Sequence, residues 1–218
     1  MQDFCILKQD EILILASAFH LKRVYGLTMR KSEEHMVPYR MHEMARNGIL
    51  HLKEGQLQVN PFYKRVFQSL ANANRVVMIQ RLQKEERFCW YYIGVDVVCM
   101  EESFEDKDAV RISLICWDEF KNVVEEQGML PHTLLSKELA VLEEAKEVET
   151  KQSLLPVCFQ YELLWLQNGT VQKQDSFELI LSEHNYWLVE KKATGNRLCR
   201  YDHEEFYQKI ISMEEMIV

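Results

Sequence analysis

Apolar positions recur at helical spacing near the front of the chain and at strand spacing after it. Asp10 has the short acceptor side chain of an N-cap, and after it Ile12, Leu15, Ala16 and Phe19 share one helical face. The pattern predicts a helix over about residues 10–22, with Gly26 ending the region. Ser32-Glu33-Glu34-His35 opens a second helix with Val37, Met41, Met44 and Ala45 on one face. Pro38 fits there only in the first turn or at a bend, and Asn47-Gly48 is a C-terminal stop. Two short alternating runs then flank Glu54-Gly55, which reads as a β-hairpin. Asn60-Pro61 opens a third helix to about Ala71, with Phe62, Val66, Phe67 and Leu70 turned inward.

Helix, helix, two-stranded hairpin, helix is the order of a winged helix, and MHEMARNGILHLKEGQLQVN is the phrase that carries it. The shape does not specify DNA, because winged helices also dock proteins.

From residue 75 the texture changes. RVVMIQRL, FCWYYIGV, VDVVCME and VRISLIC read as strands, the last with Val110, Ile112 and Leu114 alternating against Arg111 and Ser113. Asp118 caps a helix, DEFKNVVEEQ, which Gly128 stops. Residues 136–150 read as a very acidic helix with a narrow apolar stripe of Leu139, Leu142 and Ala145, hence a helix on the surface or on a partner. CFQYELLWL alternates Phe159, Tyr161, Leu163 and Trp165 against polar neighbours, and Asn168-Gly169 turns. SFELILS and YWLVEKK are strands, Thr194-Gly195-Asn196 turns into RLCRY, and a last helix runs from about residue 203 to the C-terminus.

The two halves of this region echo one another. WYYIGV, a hairpin, VRISLIC and DEFKNVV are answered by YWLVEKK, a turn, RLCRY and EEFYQKI. Each ends in an acid-capped helix with a Phe near its start (Phe120, Phe206) and a β-branched residue four on (Val124, Ile210). The expectation is an α+β fold: a winged-helix-like segment at 1–75, then a body at 76–218 built on a pseudo-duplicated antiparallel sheet with flanking helices. The two parts are compatible with one compact domain.

Composition changes little of this. A chain of 218 residues with 47% hydrophobic and 28% charged residues can bury a real core. The net charge of −8 is uneven: residues 1–75 hold eleven Lys/Arg against seven Asp/Glu, and the rest hold fifteen against twenty-seven. A basic front and an acidic back suit nucleic acid at the front or mutual attraction of the two parts. MQDFCILKQDEILILASAFH lacks the basic start and small-residue cleavage site of a signal peptide, and no apolar run nears the ~20 residues of a membrane span, so a cytoplasmic protein is expected. Six cysteines with no C-x-x-C read as buried thiols of a reducing compartment.

The chemistry of known sites is missing from the pattern. Neither G-x-x-x-x-G-K-[ST] nor G-x-G-x-x-G is present to cradle phosphate. His35 and His42 are seven apart with no Cys pair or acidic partner to complete a zinc set. No G-x-S-x-G elbow supports a nucleophile, and helix-dipole complementarity accounts for Glu204-Glu205. The reading is therefore not an enzyme, with no catalytic residue, cofactor or metal. For DNA, Arg40 and Arg46 lie on the would-be recognition helix, with Arg30, Lys31, His35, Lys53, Lys64 and Arg65 around it. Glu33, Glu34 and Glu43 share that helix and would repel phosphate, which argues against nucleic acid.

The front segment, with its E-x-L-x-L-A and N-G-I-L…G-x-L-x-V-N-P, followed by a strand-rich doubled body, resembles the EspG-type chaperones of type VII secretion and their shorter Firmicute relatives, the EsaE-like substrate chaperones. The similarity spans most of the chain and lies in layout and size. It implies a cytosolic adaptor that holds the helical hairpin of a WXG100- or LXG-type substrate and delivers it to the secretion ATPase, with no catalytic residue to carry over. This chain is shorter than the EspG proteins. A chaperone for an amphipathic helical pair needs aromatic and aliphatic anchors on an open face. The residues expected to supply them are Trp90, Tyr92, Trp165, Tyr186 and Trp187 on the sheet, and Leu139 and Leu142 on the narrow helix. The alternative from another class is a winged-helix transcription regulator with a C-terminal sensor domain.

Overall fold

The structure is a computed structural model and describes residues 4–27, 34–82, 87–103, 106, 108–126, 129–131, 148–149, 154–182 and 185–212. Among these residues it is a mixed α+β fold with five helices, a nine-stranded antiparallel sheet and a two-stranded sheet. No helix among the described residues is long and apolar enough to cross a membrane.

The chain starts with a strand that its pattern does not announce, β1 (Phe4–Lys8), which pairs antiparallel with a strand some hundred residues on. It runs straight into α1 (Gln9–Ala18). Asp10 sits in the first turn, not at the cap; the Lys8 N–H instead donates to the Glu11 carboxylate at 2.8 Å. Ile12, Leu15 and Ala16 are the buried face. The helix stops four residues earlier than its periodicity suggests. His20 takes a left-handed conformation (φ 56°), and the Leu21 N–H closes back on the Ala16 carbonyl at 2.9 Å. That is a Schellman stop made without glycine.

A turn of 3₁₀ helix (Glu34–Met36) leads into α2 (Val37–Arg46), which holds Pro38 in its first turn and ends at Asn47-Gly48 as expected. β2 (Leu50–Lys53) and β3 (Gln56–Val59) form the hairpin, turned by Glu54 and Gly55, both at positive φ. The Asn60 side chain accepts from the Phe62 N–H and starts α3 (Pro61–Ala71), whose Val66, Phe67 and Leu70 are buried.

Two strand meanders follow, each ending in a helix. The first is β4 (Arg75–Arg81), β5 (Arg87–Ile93), β6 (Val97–Glu102) and β7 (Ala109–Ile115), then α4 (Trp117–Glu126). The second is β8 (Val157–Gln167), β9 (Thr170–Leu181), β10 (Tyr186–Lys192) and β11 (Gly195–Arg200), then α5 (His203–Ile211). The order across the sheet is β1-β7-β6-β5-β4-β8-β9-β10-β11. The expected acidic helix at 136–150, apart from Val148 and Glu149, lies outside the described residues.

By internal contact the chain divides into two compact units. The first takes in residues 1–76, 89–116 and 166–171, so the front segment shares a unit with β6 and β7. Its buried residues include Leu7, Ile12, Leu15, Met44, Val66, Phe67, Val98, Met100 and Ile112. Phe19 stacks on Phe67 at 5.8 Å, and the Tyr92 hydroxyl donates to the Tyr25 carbonyl at 2.8 Å. The second comprises residues 77–88, 117–165 and 172–218. Phe206 is its hub, edge-on to Tyr161 (5.0 Å), Phe177 (5.4 Å) and Tyr201 (5.8 Å).

Candidate protein-binding surfaces

The aromatic residues expected to grip a partner are mostly inside the protein. Trp90, Tyr92, Trp165 and Trp187 are 4, 2, 5 and 3% exposed, so each packs within the chain and offers a partner little surface. Trp90 lies against Gly26, and the Lys173 ammonium covers the Trp165 ring at 4.3 Å. Trp187 packs with Val148, Ile180 and Val189. Tyr186 is half-buried and meets Tyr201 edge-on at 6.2 Å. Leu139 and Leu142 lie outside the described residues. β5 and the end of β8 are covered on both faces, and in β10 Trp187 lies with Val189 on the covered face. In β5 the outward alternates Cys89 and Tyr91 are as buried as Trp90 and Tyr92.

Large apolar side chains are exposed elsewhere. On the hairpin, Leu50, Leu52, Leu57 and Val59 share one face, since Leu50 is opposite Val59 and Leu52 opposite Leu57. Leu50 is buried at the base of the hairpin, whereas Leu52 and Leu57 stand 72 and 50% exposed at its tip. Tyr39 and Met36, at the start of α2, are exposed as well. Phe4 and Ile6 project from β1. The exposure of Leu52 and Leu57 was open to sequence reading: an apolar pair two residues either side of a tight turn extends past the helices that could cover it.

The charges on α2 are partly spoken for. The Arg40 guanidinium pairs with Asp10 and with Glu43, and its hydrogen bond holds the Glu43 carboxyl below the usual carboxylate range. Arg46 and Lys53 remain exposed. A shallow cleft beside Arg40 is lined by Lys8, Gln9, Asp10, Leu13, Asp106 and Asp108, opposite charges facing one another.

No protein-family model matches the chain, and no curated protein matches it.

Buried thiols and phenols form the remaining reactive groups. Burial pushes the Cys5 thiol up to about 12, with the Glu11 carboxylate adding to the effect. Cys99 and Tyr91, neighbours across β5 and β6, are raised by the same desolvation. Such thiols stay protonated at neutral pH and are poor nucleophiles. Of the five cysteines in apolar or strand-like stretches of the sequence, Cys5, Cys89, Cys99 and Cys158 are buried and Cys116, just past the end of β7, is exposed; the sixth, Cys199, is half-buried. Among the described residues no group of three or more His, Cys, Asp and Glu is placed to hold a metal ion.

Proposed function

We propose that the chain is a cytoplasmic adaptor that holds a helical-hairpin protein of the WXG100 or LXG type for a type VII secretion machine. The observation that carries this reading is the doubled body, two four-strand meanders each followed by one helix, behind a helix–helix–hairpin–helix front. The exposed Leu52–Leu57 pair at the hairpin tip supports it, because it is an apolar surface the chain itself leaves uncovered. A partner helix presenting its apolar stripe would cover such a pair.

The test is a pull-down of the tagged chain from its native cytosol at about 0.5 M salt, where the Debye length falls to a few ångströms and charge-held bystanders are lost. Recovery of one small helical WXG- or LXG-like protein in near-equal amount is the expected result. A rival reading, a winged-helix DNA-binding regulator, draws on exposed Arg46 and Lys53 beside α2 and the hairpin. It loses strength from Arg40, whose charge is already paired with Asp10 and Glu43. Duplex binding with a steep salt slope and no protein partner at 0.5 M salt would replace the adaptor reading with the regulator.

A further inference from the structure

β1 is the end strand of the nine-stranded sheet and pairs on one side, with β7. Its register sets Phe4 opposite Ser113, Ile6 opposite Arg111 and Lys8 opposite Ala109, and the Gln9 N–H donates to the Asp108 carbonyl at 3.0 Å. Antiparallel pairs alternate between those that exchange backbone hydrogen bonds and those that do not. Gln9–Asp108 is of the first kind, so Leu7–Val110 and Cys5–Ile112 are too. The N–H and C=O groups of Phe4, Ile6 and Lys8 therefore point away from β7, out of the sheet edge. The Lys8 N–H is taken by the Glu11 carboxylate at 2.8 Å. Among the described residues nothing takes those of Phe4 and Ile6, and both side chains are 47% exposed.

The opposite edge of the sheet is guarded. β11 carries exposed Arg197 and Arg200, and its neighbour β10 ends in exposed Lys191 and Lys192. Cations of this kind keep edge strands from pairing. β1 instead offers two large apolar side chains beside two open donor–acceptor sets.

We propose that β1 pairs edge to edge, antiparallel, with β1 of a second copy of this chain. The open groups are self-complementary: one donor and one acceptor on Phe4, the same on Ile6, two residues apart. A copy related by a two-fold axis presents that set in reverse. With Phe4 opposite Ile6 of the second copy, and the reverse, four backbone hydrogen bonds form and all four open groups on each strand are used. Each Phe4 ring then lies beside an Ile6, on the face where Arg111 already stacks on Phe4 at 4.4 Å. Sliding the register until Ile6 faces Ile6 would call on the Lys8 N–H, which Glu11 holds. The Glu11 cap thus selects one register. A five-residue seam is small beside the ~1,600 Å² of a standard interface, so the dimer dissociates in the range of about 10–100 μM. This inference is independent of the adaptor reading.

Sedimentation equilibrium on the full chain from about 5 μM to 0.5 mM, a range that brackets that dissociation constant, reads the dimer directly. The wild type is expected to rise from 26.0 kDa toward twice that mass. Ile6→Pro removes an N–H that faces away from β7, so the internal ladder survives while the seam is blocked. Ile6→Lys keeps the N–H and charges the edge, and it carries the test if the proline variant does not fold. Both are expected to weaken dimerisation at least tenfold with circular dichroism unchanged. A wild type that stays at 26.0 kDa throughout, or folded variants that dimerise as it does, overturns the proposal.

Discussion

Phe120 and Phe206 hold the same place, each the fourth residue of the helix that closes a meander, and both are sealed from solvent. Val124 and Ile210, one turn further on, repeat the match. Phe206 is ringed by Tyr161, Phe177 and Tyr201, and Phe120 meets Trp117 at 5.3 Å. Both rings are buried, so Phe206→Ala and Phe120→Ala are each expected to cost about 3–5 kcal/mol. Urea unfolding of the two variants measures this; a loss under about 1 kcal/mol in either would mean that its helix is not held by that ring.

Gly26 is fixed by two constraints at once. Its φ is 85°, and a Cβ there would fall 2.1 Å from Trp90 Nε1. Gly55 has a similar φ of 77° with nothing within 4 Å of its would-be Cβ. Gly55→Ala should thus cost about 1 kcal/mol of backbone strain, and Gly26→Ala about 3 kcal/mol or more. A red shift in tryptophan emission in the second variant alone would locate the damage at the indole.

Glu11 ties acid–base chemistry to stability. Burial raises its pKa, and the Lys8 N–H it accepts lowers it only in part. A carboxyl with a folded pKa above its unfolded one binds its proton more tightly when folded. Its contribution is fully present below the unfolded value and is lost as pH rises through the folded one. Glu11→Gln keeps an oxygen for the Lys8 N–H and removes the charge. The variant should be at least as stable as the parent at pH 7, with a smaller change in melting temperature between pH 4 and pH 7 (that carboxylate range brackets the ordinary value). A variant less stable than the parent at pH 7 would show that the charge itself is needed at the cap.

The hairpin tip separates binding from folding. Leu52→Glu together with Leu57→Lys alters side chains already 72 and 50% exposed and sets opposite charges across the pair, so stability should move by less than about 0.5 kcal/mol. Capture of the helical partner at 0.5 M salt should fall at least tenfold if the tip is an anchor. Undiminished capture would move the contact off the hairpin.

Much of the fold was legible because short-range chemistry marked it. Glu54-Gly55 and Asn60-Pro61 each state a backbone geometry, and the hairpin and α3 begin where they say. Of the echo between the two halves, the closing helices with Phe120 and Phe206 correspond, whereas the strands it matched, WYYIGV in β5 and YWLVEKK in β10, are the second and third of their meanders. β1 was not, because Phe4, Cys5, Ile6 and Leu7 are all apolar and no alternation shows; its partner strand is some hundred residues away. The end of α1 was also hidden, since no glycine or proline marks the place where His20 turns left-handed. The burial of Trp90, Tyr92, Trp165 and Trp187 was hidden for a related reason. Alternation identifies a strand's two faces but not whether a second layer covers each one, and in β5 both are covered.

The pairing of β1 with β7 also sets an order in time. β1 is made about a hundred residues before its partner strand at Ala109–Ile115, and the Tyr25 hydroxyl finds the Gly169 carbonyl 144 residues on. The first unit is therefore unable to close while its chain is still short, and loop-closure entropy is met late, at high contact order. Until then Phe4, Cys5, Ile6 and Leu7 travel as an unpaired apolar strand. Unpaired apolar strands of this kind are the surfaces on which incompletely folded chains aggregate.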